Sequence, residues 1–154
     1  MIEFRKGNIW DAKDLQALVN TVNCIGVMGK GLALQFKCRY PAMYDEYVRV
    51  CVEEALGPGE ILAWENPKPP PQYIFNFATK GEWRQPSRYT WIEDGLIDLA
   101  VRIRTLKIKS IGIPALGCAN GGLEWAKVKL QIQSAHDTFW HDCRVVVYEP
   151  LDGS

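Results

Sequence analysis

Lys80 lies in the segment Phe77-Ala78-Thr79-Lys80-Gly81, after an apolar run, and two further segments set glycines and amides in the same local position. They are Val19-Asn20-Thr21-Val22-Asn23 running into Gly26-Val27-Met28-Gly29-Lys30-Gly31, and Pro114-Ala115-Leu116-Gly117-Cys118-Ala119-Asn120-Gly121-Gly122. Each of the three follows a strand-like stretch and precedes a helix-like one. In an open α/β sheet the carboxyl ends of the strands face one crevice, so the three loops are expected to converge on a single anionic ligand held by backbone N–H groups.

The residue types set what each loop can do. Glycine allows close backbone approach, and the helix that follows offers unpaired N–H groups at the positive end of its dipole, so Gly26 to Gly31 suits a phosphate. The spacing matches neither G-x-G-x-x-G nor G-x-x-x-x-G-K-[ST], and a tight turn is the simpler explanation of this segment taken alone. Gly117 to Gly122 repeats the pattern, and two cradles suit a diphosphate. The amides of Asn20 and Asn23 can bond ribose hydroxyls, or can equally cap turns. Lys80 can neutralise phosphate, can act as a nucleophile if it is desolvated near other positive charge, or can be a solvated loop lysine. Trp83, Arg84, Arg88, Tyr89 and Trp91 mix rings and guanidinium groups as a single-strand nucleic-acid surface does, or as a packed helix with a charged outer face does. His136 and His141 have no acidic partner at metal-ligand spacing, so no metal site is expected. Cys24 and Cys118 lack a paired histidine motif, which disfavours a thiol nucleophile.

Bulk properties narrow the setting. With 154 residues, 47% of them apolar, the chain suits one domain over 1–154. Lysine plus arginine and aspartate plus glutamate balance at 18 each, so any nucleic-acid contact must be local rather than a general positive field. The cysteines at 24, 38, 51, 118 and 143 are odd in number and form no C-x-x-C pair, which argues against a disulfide framework and for a reducing compartment. No run has the length of a membrane span and the N-terminus has no signal-peptide core, so a cytoplasmic protein without membrane contact is expected.

The elements that must position these loops follow from periodicity. Ile2 to Phe4, an edge element, and Leu15 to Val19 read as strands separated by a polar connector. Leu32 to Tyr40 reads as a helix closed by Pro41, and Met43, Tyr47, Cys51 and Ala55 recur on one face of the next. Ile61 to Trp64 and Tyr73 to Phe77 read as strands joined by the proline connector 67 to 71. A helix is expected from Pro86-Ser87 to Thr105, with Thr90 and Glu93 able to form a capping box. Ser110 to Ile113 reads as a strand, Glu124 to Trp140 as a helix, and Val145 to Tyr148 as a last strand. The fold class expected is α/β: a three-layer α/β/α domain with a mixed, mostly parallel central sheet.

Together the two glycine loops resemble the ligand loops of the macrodomain family. More narrowly, NTVNCIGVMGKGLALQF at Asn20 to Phe36, NFATKGEWR at Asn76 to Arg84 and GGLEW at Gly121 to Trp125 resemble antitoxin macrodomains of the DarG type. That resemblance implies a DNA ADP-ribosyl glycohydrolase, which removes ADP-ribose from thymine of single-stranded DNA and opposes a DarT-type toxin, with no cofactor. It implies Lys80 as the nucleophile, attacking the anomeric carbon of the ring-opened distal ribose and giving a Schiff-base-like intermediate that water resolves. It places Asn23 at the distal ribose and Gly29, Lys30 and Gly31 with Gly117, Cys118 and Ala119 around the diphosphate, with Asn20, Val27, Met28, Thr79, Asn120, Gly121 and Gly122 also among the ligand-binding residues. Adenine would lie near Asn8 and Ile9, Asn8 standing where many family members have aspartate. A related human enzyme carries an aspartate where this chain has Gly121. Glycine is usual at position 119, and the Ala119 methyl is expected to weaken binding if the backbone there needs positive φ or close phosphate approach. Antitoxins of this kind carry a further toxin-holding region, so 1–154 is expected to be a catalytic domain of a longer protein. A non-catalytic ADP-ribose-binding module, a direct toxin-blocking protein and a hydrolase of protein-linked ADP-ribose are the competing readings.

Overall fold

The computed structural model describes residues 1–150 apart from Trp83. Its centre is one six-stranded sheet built from β1 (Ile2–Arg5), β2 (Ala17–Val22), β3 (Ile61–Glu65), β4 (Tyr73–Ala78), β5 (Ser110–Ile113) and β6 (Arg144–Tyr148). Across the sheet the order is β1-β6-β5-β2-β4-β3. Every neighbouring pair is parallel except β3 with β4. The sheet is therefore mixed and mostly parallel, with β1 at one edge as expected.

Helices α1 (Gly31–Arg39) and α2 (Pro41–Val52) cover one face, and α3 (Tyr89–Thr105) and α4 (Trp125–Phe139) the other. Period-two alternation in the strands sorts the core into two layers. Val19, Phe75, Phe77, Ile111 and Val145 join Ile92, Leu96 and Leu99 of α3 and Val128 and Ile132 of α4. Leu18, Val22, Ile74 and Val146 join Phe36 of α1 and Met43 and Tyr47 of α2. Pro41 separates α1 from α2, since it restricts Tyr40 to non-helical dihedrals (φ −132°, ψ 70°) and starts the next helix with its missing N–H at no cost.

Several boundaries differ from the sequence reading, each for a tertiary reason. The second strand continues to Val22 because β4 pairs with it as far as Ala78. Ile9–Asp11 forms a 3-10 turn, which the polar connector did not suggest; Asn8 caps it and Asp11 closes the capping box. Helix α2 ends at Val52, leaving Ala55 outside the helical face. Helix α3 begins at Tyr89 with Arg88 as an N-cap that makes no side-chain bond, so Thr90 lies inside the helix and forms no cap. Pro86 and Ser87 remain in the preceding loop, where the Ser87 N–H donates to the Gly121 carbonyl at 2.9 Å. Glu124 and Trp140 are the caps of α4 rather than its first and last turns.

Candidate functional site

Three parallel neighbours, β5, β2 and β4, end on the same side of the sheet, and the loops after them meet there. The first and second of these loops in the chain are tied directly to each other. The Thr79 N–H donates to the Val22 carbonyl at 3.0 Å and the Cys24 N–H donates to the Gly81 carbonyl at 2.8 Å, extending the β2–β4 pairing beyond the strands. Gly95 brings α3 against β4, because a Cβ at this position would collide with the Phe77 ring. Lys80 is thereby held beside Asn23 at the mouth of the sheet.

Asn23 shapes the glycine loop from within. Its Oδ1 accepts from the Ile25 N–H at 3.1 Å and the Val27 N–H at 3.3 Å, while its Nδ2 donates to the Val27 carbonyl at 2.8 Å. The buried Tyr47 hydroxyl of α2 lies 2.7 Å from the same Oδ1 and 2.8 Å from the Asn23 carbonyl. An amide carries two N–H donors, so one Nδ2 hydrogen of Asn23 is left for a ligand after these bonds are made. Past this loop, the first N–H groups of α1 open onto the cleft: Lys30 is its N-cap and supplies no side-chain cap.

The resulting cleft has a volume of about 380 Å³. Its walls include Asn23, Val27, Gly29, Lys30 and Gly31 from the first loop, Thr79 and Lys80 from the second, and Gly117, Ala119, Asn120 and Gly121 from the third. Among the described residues that line it there is no carboxylate, and the charged side chains are those of Lys30 and Lys80. Burial lowers the Lys80 amine from its ordinary value, and the charge of Lys30 lowers it further. Lys80 Nζ lies 3.4 Å from the Asn120 carbonyl oxygen, linking the second loop to the third.

A second cavity of about 240 Å³ adjoins the cleft, sharing Thr21, Leu32, Ala115 and Ala119 with it. Asn8 and Ile9 line this second space, together with Gln35, Tyr148 and Glu149. Thr21, Leu32 and Ala33 of the cleft, and Gln35, Tyr148 and Glu149 of the second cavity, were not singled out from the sequence. The rule that ligands sit at the carboxyl ends of parallel strands would have found Tyr148 and Glu149, at the end of β6.

Four expected wall residues lie elsewhere. Asn20 is fully buried in β2 opposite Asn76, and donates to its Oδ1 at 3.1 Å. Met28 is also buried, with its sulfur 3.8 Å from Asn20 Nδ2, so both residues lie beneath the cleft floor and anchor the loop from below. Cys118 and Gly122 belong to the third loop but not to the cleft wall. Gly122 supplies a left-handed turn with φ 77°, as Gly117 does with φ 71°.

Ala119 is not among the residues with positive φ, so the backbone strain expected of an alanine there does not arise. Gly121 is closely confined: a Cβ would collide with Ser87 Oγ and with the Gly117 carbonyl oxygen, which leaves no room for the aspartate of the related human enzyme. Burial pushes the Cys24 thiol up to about 12 and the Cys118 thiol up to about 11, so both are protonated at neutral pH. All five cysteines are free. Among the described residues no three His, Cys, Asp or Glu side chains form a group able to hold a metal ion, and no helix is long and apolar enough to cross a membrane.

In the stretch expected to face DNA, Trp83 lies outside the described residues. Arg84 and Arg88 are exposed, and the Arg88 guanidinium stacks 4.9 Å from the centre of the Trp91 ring. Tyr89 is turned to packing, its hydroxyl accepting from the Glu124 N–H at 3.0 Å.

Comparison with known proteins gives one coherent set. The family model "Macro domain" matches residues 19–132. A DNA ADP-ribosyl glycohydrolase of Thermus aquaticus is 47% identical over 153 residues, which cover 99% of this chain and 42% of that protein. The chain thus spans under half the length of this relative. The macrodomain of Mycobacterium tuberculosis DarG superposes with a TM-score of 0.93 at 44% identity, over 97% of this chain and 98% of that one. The Thermosipho africanus DarTG structure, in complex with ADP-ribose, superposes with a TM-score of 0.89 at 29% identity, over 98% of this chain and 42% of that one.

Proposed function

The chain belongs to the macro domain family, and on that premise we propose that it removes ADP-ribose from thymine bases of single-stranded DNA. In this reading it is the glycohydrolase part of an antitoxin that opposes a DarT-type transferase. Its similarity to the Thermus and Mycobacterium proteins supports the activity, and the joined DarT and DarG names of the Thermosipho structure support the partner.

The observation that carries the proposal is the setting of Lys80: a half-buried amine whose pKa is lowered by burial and by a second cation, in a cleft whose described lining has no carboxylate, between two glycine loops. The diphosphate lies on the N–H groups of Gly29 to Gly31 and Gly117 to Ala119, where a helix terminus and Lys30 favour negative charge. The remaining Asn23 amide hydrogen meets a hydroxyl of the distal ribose and brings its anomeric carbon to Lys80. The ribose ring opens at its anomeric carbon, the ring oxygen taking up a proton, and the neutral amine adds to that carbon. The bond to the thymine nitrogen then breaks, the base takes the proton that the amine gives up, and an imine to Lys80 remains. Water adds to the imine, the bond between the carbon and the lysine nitrogen breaks to restore the amine, and the aldehyde recloses as free ADP-ribose. With Gly121 unable to carry a side chain, no acid from the third loop takes part.

Release of ADP-ribose from a thymine-ADP-ribosylated single-stranded oligonucleotide tests the proposal. Turnover by this chain and its loss in Lys80→Ala are expected. ADP-ribose binding without release by either form would make the chain a binding module instead.

A further inference from the structure

With the modified thymine at Lys80, the DNA strand on either side of it must leave the cleft over a neighbouring surface. The loops that frame Lys80 lead to opposite faces of the sheet, the first into α1 and the second towards α3. The second passes Glu82, whose Oε1 accepts from the Arg84 N–H at 2.9 Å, and reaches Tyr89, whose hydroxyl accepts from the Glu124 N–H.

The α1 side carries a charge bias that the chain as a whole lacks. No aspartate or glutamate occurs between Asp14 and Asp45, a stretch that contains Lys30, Lys37 and Arg39. Lys30, Leu34 and Lys37 recur at spacings of four and three, so they form one stripe along α1 that starts at the cleft wall. Lys30 is the cation whose charge acts on Lys80. Leu34 is 38% exposed, and at the tip of the first loop Ile25 and Val27 are 49% and 40% exposed. The tip and the far end of the stripe are fixed together. Lys37 Nζ lies 4.4 Å from the centre of the Tyr44 ring, and the Tyr44 hydroxyl donates to the Gly26 carbonyl at 3.1 Å. Neither Lys30 nor Lys37 makes an ion pair among the described residues. Apolar side chains thus alternate with cations that no carboxylate neutralises, leading outward from Lys80. A single strand matches both, since its unpaired bases have apolar faces and each nucleotide carries a negative phosphate.

We propose that the tip of the first loop and the α1 stripe form the track for the DNA strand that flanks the modified thymine. Lys37 takes a phosphate outside the cleft, and Ile25 and Leu34 meet bases. The proposal rests on the glycohydrolase reading given above, and it puts the strand on the α1 face of the sheet rather than over the stretch from Trp83 to Trp91.

Steady-state kinetics on two substrates test it: ADP-ribosylated thymidine, and a single strand of about ten nucleotides with the same modification on a central thymine. For the unaltered chain, KM for the oligonucleotide should be about tenfold or more below that for the nucleoside, and should rise with salt. In Lys37→Gln the slope of log KM against log salt should fall by about 0.7, one phosphate's share on a single strand, and the oligonucleotide KM at low salt should rise about threefold or more. The kcat and the nucleoside KM should not change, and the nucleoside values report on the fold of the variant in the same samples. Equal KM values for the two substrates in the unaltered chain overturn the proposal, as does an oligonucleotide KM and salt slope that Lys37→Gln leaves in place. A slope lowered by Arg88→Gln and not by Lys37→Gln would put the strand on the α3 face and overturn it too. Turnover of neither substrate by the unaltered chain would overturn the glycohydrolase reading itself, and so is distinguishable from failure of the track.

Discussion

The amine of Lys80 and the backbone carbonyl of Asn120 lie 3.4 Å apart, so the loop after β4 meets the loop after β5 at the one lysine that the second loop contributes to the cleft wall. On the other side Lys30, the N-cap of α1, supplies the charge that helps to hold the Lys80 amine below its usual range. The setting of Lys80, the proposed nucleophile, is thus assembled by all three loops, and each can be tested separately.

Reaction through the neutral amine gives pH a definite sign. The neutral fraction of Lys80 grows as pH rises through its pKa, so the single-turnover rate on ADP-ribosylated oligonucleotide should rise with pH along a limb centred below 10.5, the ordinary lysine value. Removing the neighbouring cation in Lys30→Gln raises the affinity of Lys80 for its proton. The limb should therefore move to higher pH, under saturating substrate so that weaker binding does not intrude. A limb that stays in place or moves down would show that Lys30 does not tune the amine.

Tyr47 supports the first loop from within the core. Tyr47→Phe removes a hydroxyl 2.7 Å from Asn23 Oδ1 and leaves the Asn23 carbonyl without that donor. A loss of about 1–2 kcal/mol in unfolding free energy is expected, with weaker ADP-ribose binding as the loop loosens. Denaturant melts and calorimetry on the same samples measure both. An unchanged melt would mean that the loop is held by its own bonds alone.

The third loop depends on a missing side chain. Gly121→Ala places a Cβ against Ser87 Oγ and the Gly117 carbonyl oxygen, one of them backbone, so the loop itself must move. The expected cost is about 1–3 kcal/mol of stability, with a matching drop in ADP-ribose affinity. Gly29→Ala is the contrast: its Cβ would meet only the Val27 side chain at 3.5 Å, with no positive φ, and its stability should change by less than about 0.5 kcal/mol. Equal melting of the two variants would remove the steric role assigned to Gly121.

Much of this arrangement was legible in the sequence, and what was not has identifiable causes. Apolar runs and helical spacing located the six strands and four α-helices of the described residues, because burial on two faces of one sheet writes those patterns into the chain. The convergence of three glycine-rich or lysine-bearing loops followed from chain order alone. Asn20 and Asn23 could not be told apart, since their difference arises from strand register: β2 pairs with β4 up to Val22, which turns Asn20 down toward Asn76 and leaves Asn23 at the rim. The start of α3 was misplaced because the Ser87 N–H is spent on Gly121, more than thirty positions away in the chain. Glu149 drew no notice for a similar reason. Its partners Trp125 and Lys129 lie on α4, and only the packing of α4 beside β1 and β6 brings them together.

The central claim is that Lys80 forms a covalent bond to the ribose, and reductive trapping tests it most directly. The chain is mixed with thymine-ADP-ribosylated single-stranded DNA and a borohydride reductant, and its peptides are read by mass spectrometry. An ADP-ribose adduct on the Lys80 peptide, together with free unmodified oligonucleotide, is the predicted result. Continued release of ADP-ribose with no adduct on Lys80, and undiminished release by Lys80→Ala, would contradict it.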